Sequence, residues 1–437
     1  MKRPTITSFR GNPNMQLCIT ARFAMSIARA IAGVIVPIYL SIDGYSVVKL
    51  GVLFAIVAAT SALMSTAVGF LADRIGRRFF LVLIPLLTAL AAVAFAVSNA
   101  AAVVVIGAAL GSFGRGGGAG AGNVGPYLPA EQALIAASVS DRERTPAFAR
   151  LGLATTFGSL LGGLMVSVLV TGHATATNLL PTYRVAFIAL ACFAGAAGII
   201  ALWIREPPLP PVSREARRRF FPQKSRGLVF RLWITNGLNG AAIGLFGPFI
   251  TYWFYRRYGV SAAQIGLLFA VINATSLISN MTVTSLSRRL GLVRATTLLR
   301  IVVSLLLIPM VLAPTFLIAG AIYLVRMFGQ RMALPLRQSY VMGMADPEER
   351  SRVAALSNLP AQALSAVTPA LAGELFAVVD LAAPFLLSSV LQLANALTFY
   401  GFFKNATPRE ERVAPEREAP TSASVTTSTN QDEEPVP

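Results

Sequence analysis

Charge is what this 437-residue chain has least of: Asp, Glu, Lys and Arg make up 13% of it, about half the share found in soluble chains. It has two cysteines, Cys18 and Cys192, both within apolar runs, and one histidine, His173. A disulfide framework and a Cys-rich metal site are therefore excluded, and a lone imidazole leaves metal chemistry without ligands. No cluster of His, Cys or paired carboxylates is available for catalysis, so an enzyme is not expected. No glycine-rich loop ends in Lys-Ser or Lys-Thr, so a built-in ATPase and a nucleotide cofactor are not expected either. Gly120, Gly122 and Gly125 do spell GxGxxG, but no strand precedes them and Pro126 follows. What the chain does have is apolar surface, with 55% hydrophobic residues and a mean hydropathy of +0.65. So little polar material cannot cover a water-soluble globule, and lipid is the expected solvent.

Apolar runs long enough to cross a bilayer recur near 15–40, 48–70, 79–98, 102–138, 147–170, 183–204, 228–255, 263–284, 295–313, 316–343, 353–376 and 382–403. A spanning segment must satisfy its own backbone groups, so all are predicted as helices. The fourth run is too long and too rich in glycine to be one straight helix. Lys and Arg outnumber Asp and Glu by 37 to 19, which at first suggests an acidic partner such as nucleic acid. Their distribution decides otherwise. With the amino terminus inside, only Lys49, Arg184, Arg256 and Arg257 fall in outer loops, as the positive-inside rule requires. Both termini are expected in the cytoplasm and no nucleic-acid role is expected. The organisation predicted is a short cytoplasmic segment 1–14, a six-helix half 15–204, a basic Pro-rich linker 205–227, a second six-helix half 228–403 and a disordered cytoplasmic tail 404–437.

The two halves repeat each other. LGVLFAIVAATS, from Leu50 to Ser61, matches IGLLFAVINATS, from Ile265 to Ser276. Pro129, Gln132 and Arg144 likewise correspond to Pro335, Gln338 and Arg350. Duplicated bundles place a substrate site at their interface near the midplane, where rocking of one half on the other gives alternating access.

Between the second and third runs stands GFLADRIGRRF, from Gly69 to Phe79. The string resembles the signature loop of the major facilitator superfamily, matching it at Gly69, Asp73, Gly76, Arg77 and Arg78. The resemblance implies twelve helices in two pseudo-symmetric six-helix bundles, secondary active transport of a small solute, no cofactor, a monomer in the inner membrane, and a gating role for those five residues. Arg115, followed by a glycine string, is similar to the family's fourth-helix pattern, and Arg326 is its mate in the second half. FGSLLGG, with Gly158, Gly162 and Gly163, resembles an antiporter motif except that Ser159 replaces its proline.

Arg22, Arg29, Arg115, Arg300, Arg326, Arg331 and Arg337 lie within apolar runs. Such residues face a water-filled cavity or a partner, because an arginine at the bilayer centre costs about 2.5–3.5 kcal/mol on insertion scales. Arg22, Ser26 and Arg29 share one helical face, as do Arg326, Gln330 and Arg337. Glu131 is the one acid well inside a run and the candidate proton carrier, with Arg337 expected opposite it. The candidate substrate ligands are Arg29, Arg115, Arg326, Arg337, Gln330, Asn236, Asn239, Asn273 and Tyr252. A surplus of buried positive charge favours an anionic or carboxylate-bearing solute. The same arginines also fit structural bonds to helix carbonyls, and the asparagines fit ties between helices. Two other functions stay open: a proton-coupled drug or metabolite exporter, and a transport-inactive sensor or scaffold.

Overall fold

A computed structural model describes residues 13–98, 100–113, 125–139, 141–170, 179–206, 224–290, 292–344, 353 and 356–404. Among the described residues there is no strand. The helices are α1 (Pro13–Ile42), α2 (Val47–Ile75), α3 (Arg77–Val97), α4 (Ala101–Gly111), α5 (Leu128–Ser138), α6 (Asp141–Leu169), α7 (Leu179–Ala201), α8 (Arg226–Phe246), α9 (Ile250–Tyr258), α10 (Ala262–Leu290), α11 (Leu292–Leu305), α12 (Leu307–Leu312), α13 (Phe316–Met344), α14 (Leu359–Val378) and α15 (Ala383–Phe403). Among the described residues eight helical spans are long and apolar enough to cross a membrane, one of them running through α11 and α12. The fourth apolar run holds two helices, α4 and α5, as its length and glycines predict. The seventh run is divided as well, at Gly247–Phe249, where Pro248 has no N–H to continue the ladder.

The repeat in the sequence is a repeat in the packing. In the first half α1 packs on α6 and α7, α3 on α7 and α4, and α2 on α4. In the second half α8 packs on α14 and α15, α11 on α15 and α13, and α10 on α13. These are the same pairs moved on by one half. The contacts between halves obey the same rule, since α2 against α14 becomes α10 against α6. Even the turns correspond. Gly44 and Gly259 both adopt positive φ, 90° and 66°, a conformation that costs glycine little. Ser46 then accepts the Lys49 N–H at the start of α2. Ser261 and Gln264 form a reciprocal capping box at the start of α10.

The halves touch where both helices are thin. A methyl group at Gly51 would stand 2.6 Å from the Pro369 carbonyl oxygen, and one at Gly373 2.8 Å from that of Val47. The mirror contact has Gly163 and Gly266, where each added methyl would stand 2.7 Å from the other's carbonyl. Gly51 and Gly266 are partners in the repeated string. Both contacts lie at the end of the molecule that carries the 43–46 and 259–261 turns. The halves are therefore closed on each other at this end. Between the halves α1 is enclosed from Ala24 to Leu40, and Thr251 Oγ1 of α9 donates to the Gly33 carbonyl at 3.0 Å.

Candidate functional site

The polar interior of the first half is built on α1. The face Arg22, Ser26, Arg29 is buried, with exposures of 3%, 0% and 5%. Arg22 reaches α5, where its Nε donates to Glu131 Oε1 at 3.0 Å and its Nη2 faces Oε2. Its guanidinium also lies 5.1 Å from the ring centroid of Tyr127. Glu131 is the one buried carboxylate among the described side chains. The partner shown for Glu131 is thus Arg22, on a helix that packs directly on α5; the Arg337 side chain, expected opposite Glu131, lies outside the described ones. Arg29 has no such partner: its Nε and Nη2 are buried without a hydrogen bond. The whole of Arg115 lies outside the described residues as well.

In the second half the buried arginines are held by neutral groups. Arg326 is fully buried and donates to Gln330 Oε1 and Gln392 Oε1, both at 3.1 Å. Its guanidinium lies 4.4 Å from the Phe246 ring centroid, within cation–π range, while its Nε has no partner. Arg331 donates to Asn273 Oδ1 at 3.2 Å, and Asn273 Nδ2 bonds the Phe269 carbonyl of its own helix. Asn273 is thus a tie between α10 and α13. Asn236 is a tie as well, donating from α8 to the Ser357 carbonyl at 2.5 Å. Tyr252 packs between Phe249 and Phe376 in an aromatic cluster at the closed end. Of the predicted ligands, Asn239 and Gln330 share a cavity. The cavity's other polar side chains, Arg300, Gln392 and Asn395, had not been singled out. Ser388, Gln392 and Asn395 follow at i, i+4 and i+7 in the last helix, and that stripe is the signal that marks them.

The loop with the family-like motif is a joint between α2 and α3. Gly76 takes φ 116°. Glu206, just beyond α7, accepts the Arg77 N–H at 2.7 Å and approaches that of Arg78 at 3.5 Å. A carboxylate there satisfies orphan amides at a helix start and meets the positive end of its dipole. Arg77 Nη1 donates to the Ala133 carbonyl of α5 at 2.9 Å, and Arg78 Nη2 bonds the Leu202 carbonyl. Gly69 lies against Pro129. The Asp73 side chain is outside the described ones. The α6 glycines are close-packing points against α1: a methyl at Gly158 would stand 2.6 Å from the Phe23 carbonyl and one at Gly162 2.7 Å from that of Ile27.

Comparison with known proteins agrees with this architecture. The Multidrug resistance protein MdtG of Enterobacter lignolyticus (strain SCF1) is 26% identical over 374 residues, 83% of this chain and 85% of the relative. Among solved structures, a bacterial homolog to the human lysosomal transporter Spinster, inward-facing and occupied, superposes with a TM-score of 0.66 at 15% identity, covering 88% of this chain and 95% of that one. A POT family transporter in complex with 5-aminolevulinic acid gives 0.70 at 11% identity, covering 90% and 97%. A sequence model of the Major Facilitator Superfamily matches twice, over residues 18–231 and 232–430. Two matches in tandem, on helices whose packing repeats, place this membrane protein in the major facilitator superfamily of transporters.

Proposed function

We propose that the chain is a proton-coupled exporter of small organic solutes, working by alternating access between halves 15–204 and 228–403 in a bacterial inner membrane. The observation that carries this reading is the buried Arg22–Glu131 pair. A carboxylate enclosed with one guanidinium is a two-state element: ionised, it holds the arginine, and protonated, it releases it. With both termini in the cytoplasm, the close glycine contacts between the halves lie at the outer end, and an exporter loads from the other side. Gly69, Asp73, Gly76, Arg77 and Arg78 then form the hinge at the cytoplasmic end, with Glu206 binding it to α7. The likeness to a multidrug resistance protein favours lipophilic solutes over the anions expected from charge alone, and so does the bonding of Arg22, Arg326 and Arg331 to protein partners. A monomer suffices for this cycle.

One observation favours a second reading, an organic anion as solute. Arg29 presents buried, unbonded N–H groups on the inward face of α1. Proteoliposomes with an imposed pH gradient separate the two. Gradient-driven ethidium movement that Glu131→Gln reduces roughly tenfold or more supports the exporter. Saturable uptake of an organic anion that Arg29→Ala abolishes, without ethidium movement, replaces it with the second reading.

A further inference from the structure

At the end where the halves close on each other, a cavity of about 300 Å³ lies between α1, α7, α9 and the start of α10, within the size range of small-molecule sites. Its aliphatic wall is Ile38, Ile42 and Val170 of the first half with Val260 of the second. Three polar features converge on it. Tyr183 of α7 is 2% exposed and stands edge-on to the ring of Tyr39. Its hydroxyl has no hydrogen-bond partner among the described residues, whereas enclosed polar side chains are nearly always bonded. Arg256 of α9 bonds Tyr252, and a guanidinium has five N–H donors, so most remain for an occupant. The third feature is the start of α10. Its capping box takes the Ser261 and Gln264 N–H groups, which leaves the N–H of Ala262, in the cavity wall, without a partner in the helix and next to the positive end of its dipole. No acid lines this cavity. Asp43, which follows Ile42 in the chain, lines a separate groove with residues of α2 and α4. A cation would be repelled by Arg256 and the dipole, and a purely apolar guest would cover the Tyr183 hydroxyl and leave it unbonded.

We infer that this cavity binds an amphipathic carboxylate, whatever solute the two halves carry. Its apolar body lies on the aliphatic wall, which water alone would leave wetted, and its anionic head meets Tyr183, Arg256 and the start of α10. A fatty acid leaving the membrane and a water-soluble aromatic acid both have this chemistry. Because the walls come from both halves, an occupant binds the arrangement in which this end is closed and stabilises it.

The test is equilibrium dialysis of the purified full chain in detergent against radiolabelled phenylacetate and, in parallel, octanoate. Saturable binding is expected, with phenylacetate marking a water-soluble ligand and octanoate a membrane-derived one. The matched alcohols, phenethyl alcohol and octanol, should fail to displace the acids. Arg256→Gln and Tyr183→Phe, which keeps the ring packed against Tyr39, should each weaken binding about tenfold. Saturable binding of neither acid, equal displacement by the alcohol, or binding that both variants leave unchanged overturns the inference. Binding that Arg29→Ala abolishes and both variants spare belongs to the interior of the first half and overturns it likewise. If neither variant folds, the competition by alcohol on the unmodified chain decides.

Discussion

The two halves share one packing scheme but treat buried arginine in opposite ways. In the first half Arg22 meets a carboxylate, Glu131. In the second, Arg326 meets two glutamines and a phenyl face, and Arg331 meets an asparagine. Amides and aromatic faces solvate a guanidinium without cancelling its charge, and none of them titrates near neutral pH. On the proposed reading the first half can change its interior charge with one proton at Glu131, whereas the groups that hold Arg326 and Arg331 cannot.

The sharpest way to break that comparison is to remove one partner from each half. Glu131→Ala strands Arg22 in a closed interior and should cost about 3–5 kcal/mol, read as lost thermal or denaturant stability. Gln392→Ala removes one bond to a charged group and should cost about 1.5–3 kcal/mol, because Gln330 and Phe246 remain. Equal losses would show that the two arginines are held alike.

A smaller effect tests what the halves have in common. Gly51→Ala and Gly266→Ala each push a methyl into an opposing backbone carbonyl at the closed end, where relief requires that end to part. Each should shift the population toward the alternate state by about 1–3 kcal/mol, seen as lengthened spin-label distances between α2 and α14 or between α6 and α10. Matching shifts from the two variants support a true pseudo-twofold interface. A shift from only one would confine the closure to a single contact.

Much of this was legible in the chain. Apolar runs announced the helices because lipid forces each segment to be internally bonded, and the repeated string carried the very glycines at which the halves meet. The glycine-rich fourth run announced its own break. Partners were less legible, because pairing is set by distance in space. Glu131 stands out in the sequence as the interior acid, but the repeat points only to Arg337 as its mate, and the bond to Arg22 comes from direct packing of α1 on α5. Glu206 sits at the head of a Pro-rich linker, where composition speaks only of a connection, yet its carboxylate caps α3. Arg300 carried no motif and stood among other span arginines. Its neighbours Gln392 and Asn395 lie in the last helix, which the family resemblance did not mark for function.

The central claim is that the interior carboxylate of the first half is the proton carrier. Ethidium binding to purified protein in detergent should weaken as pH falls far enough to protonate Glu131, if loading requires the ionised pair with Arg22, and Glu131→Gln should bind ethidium without that pH dependence. The same pH dependence in Glu131→Gln would contradict the account and place the coupling elsewhere.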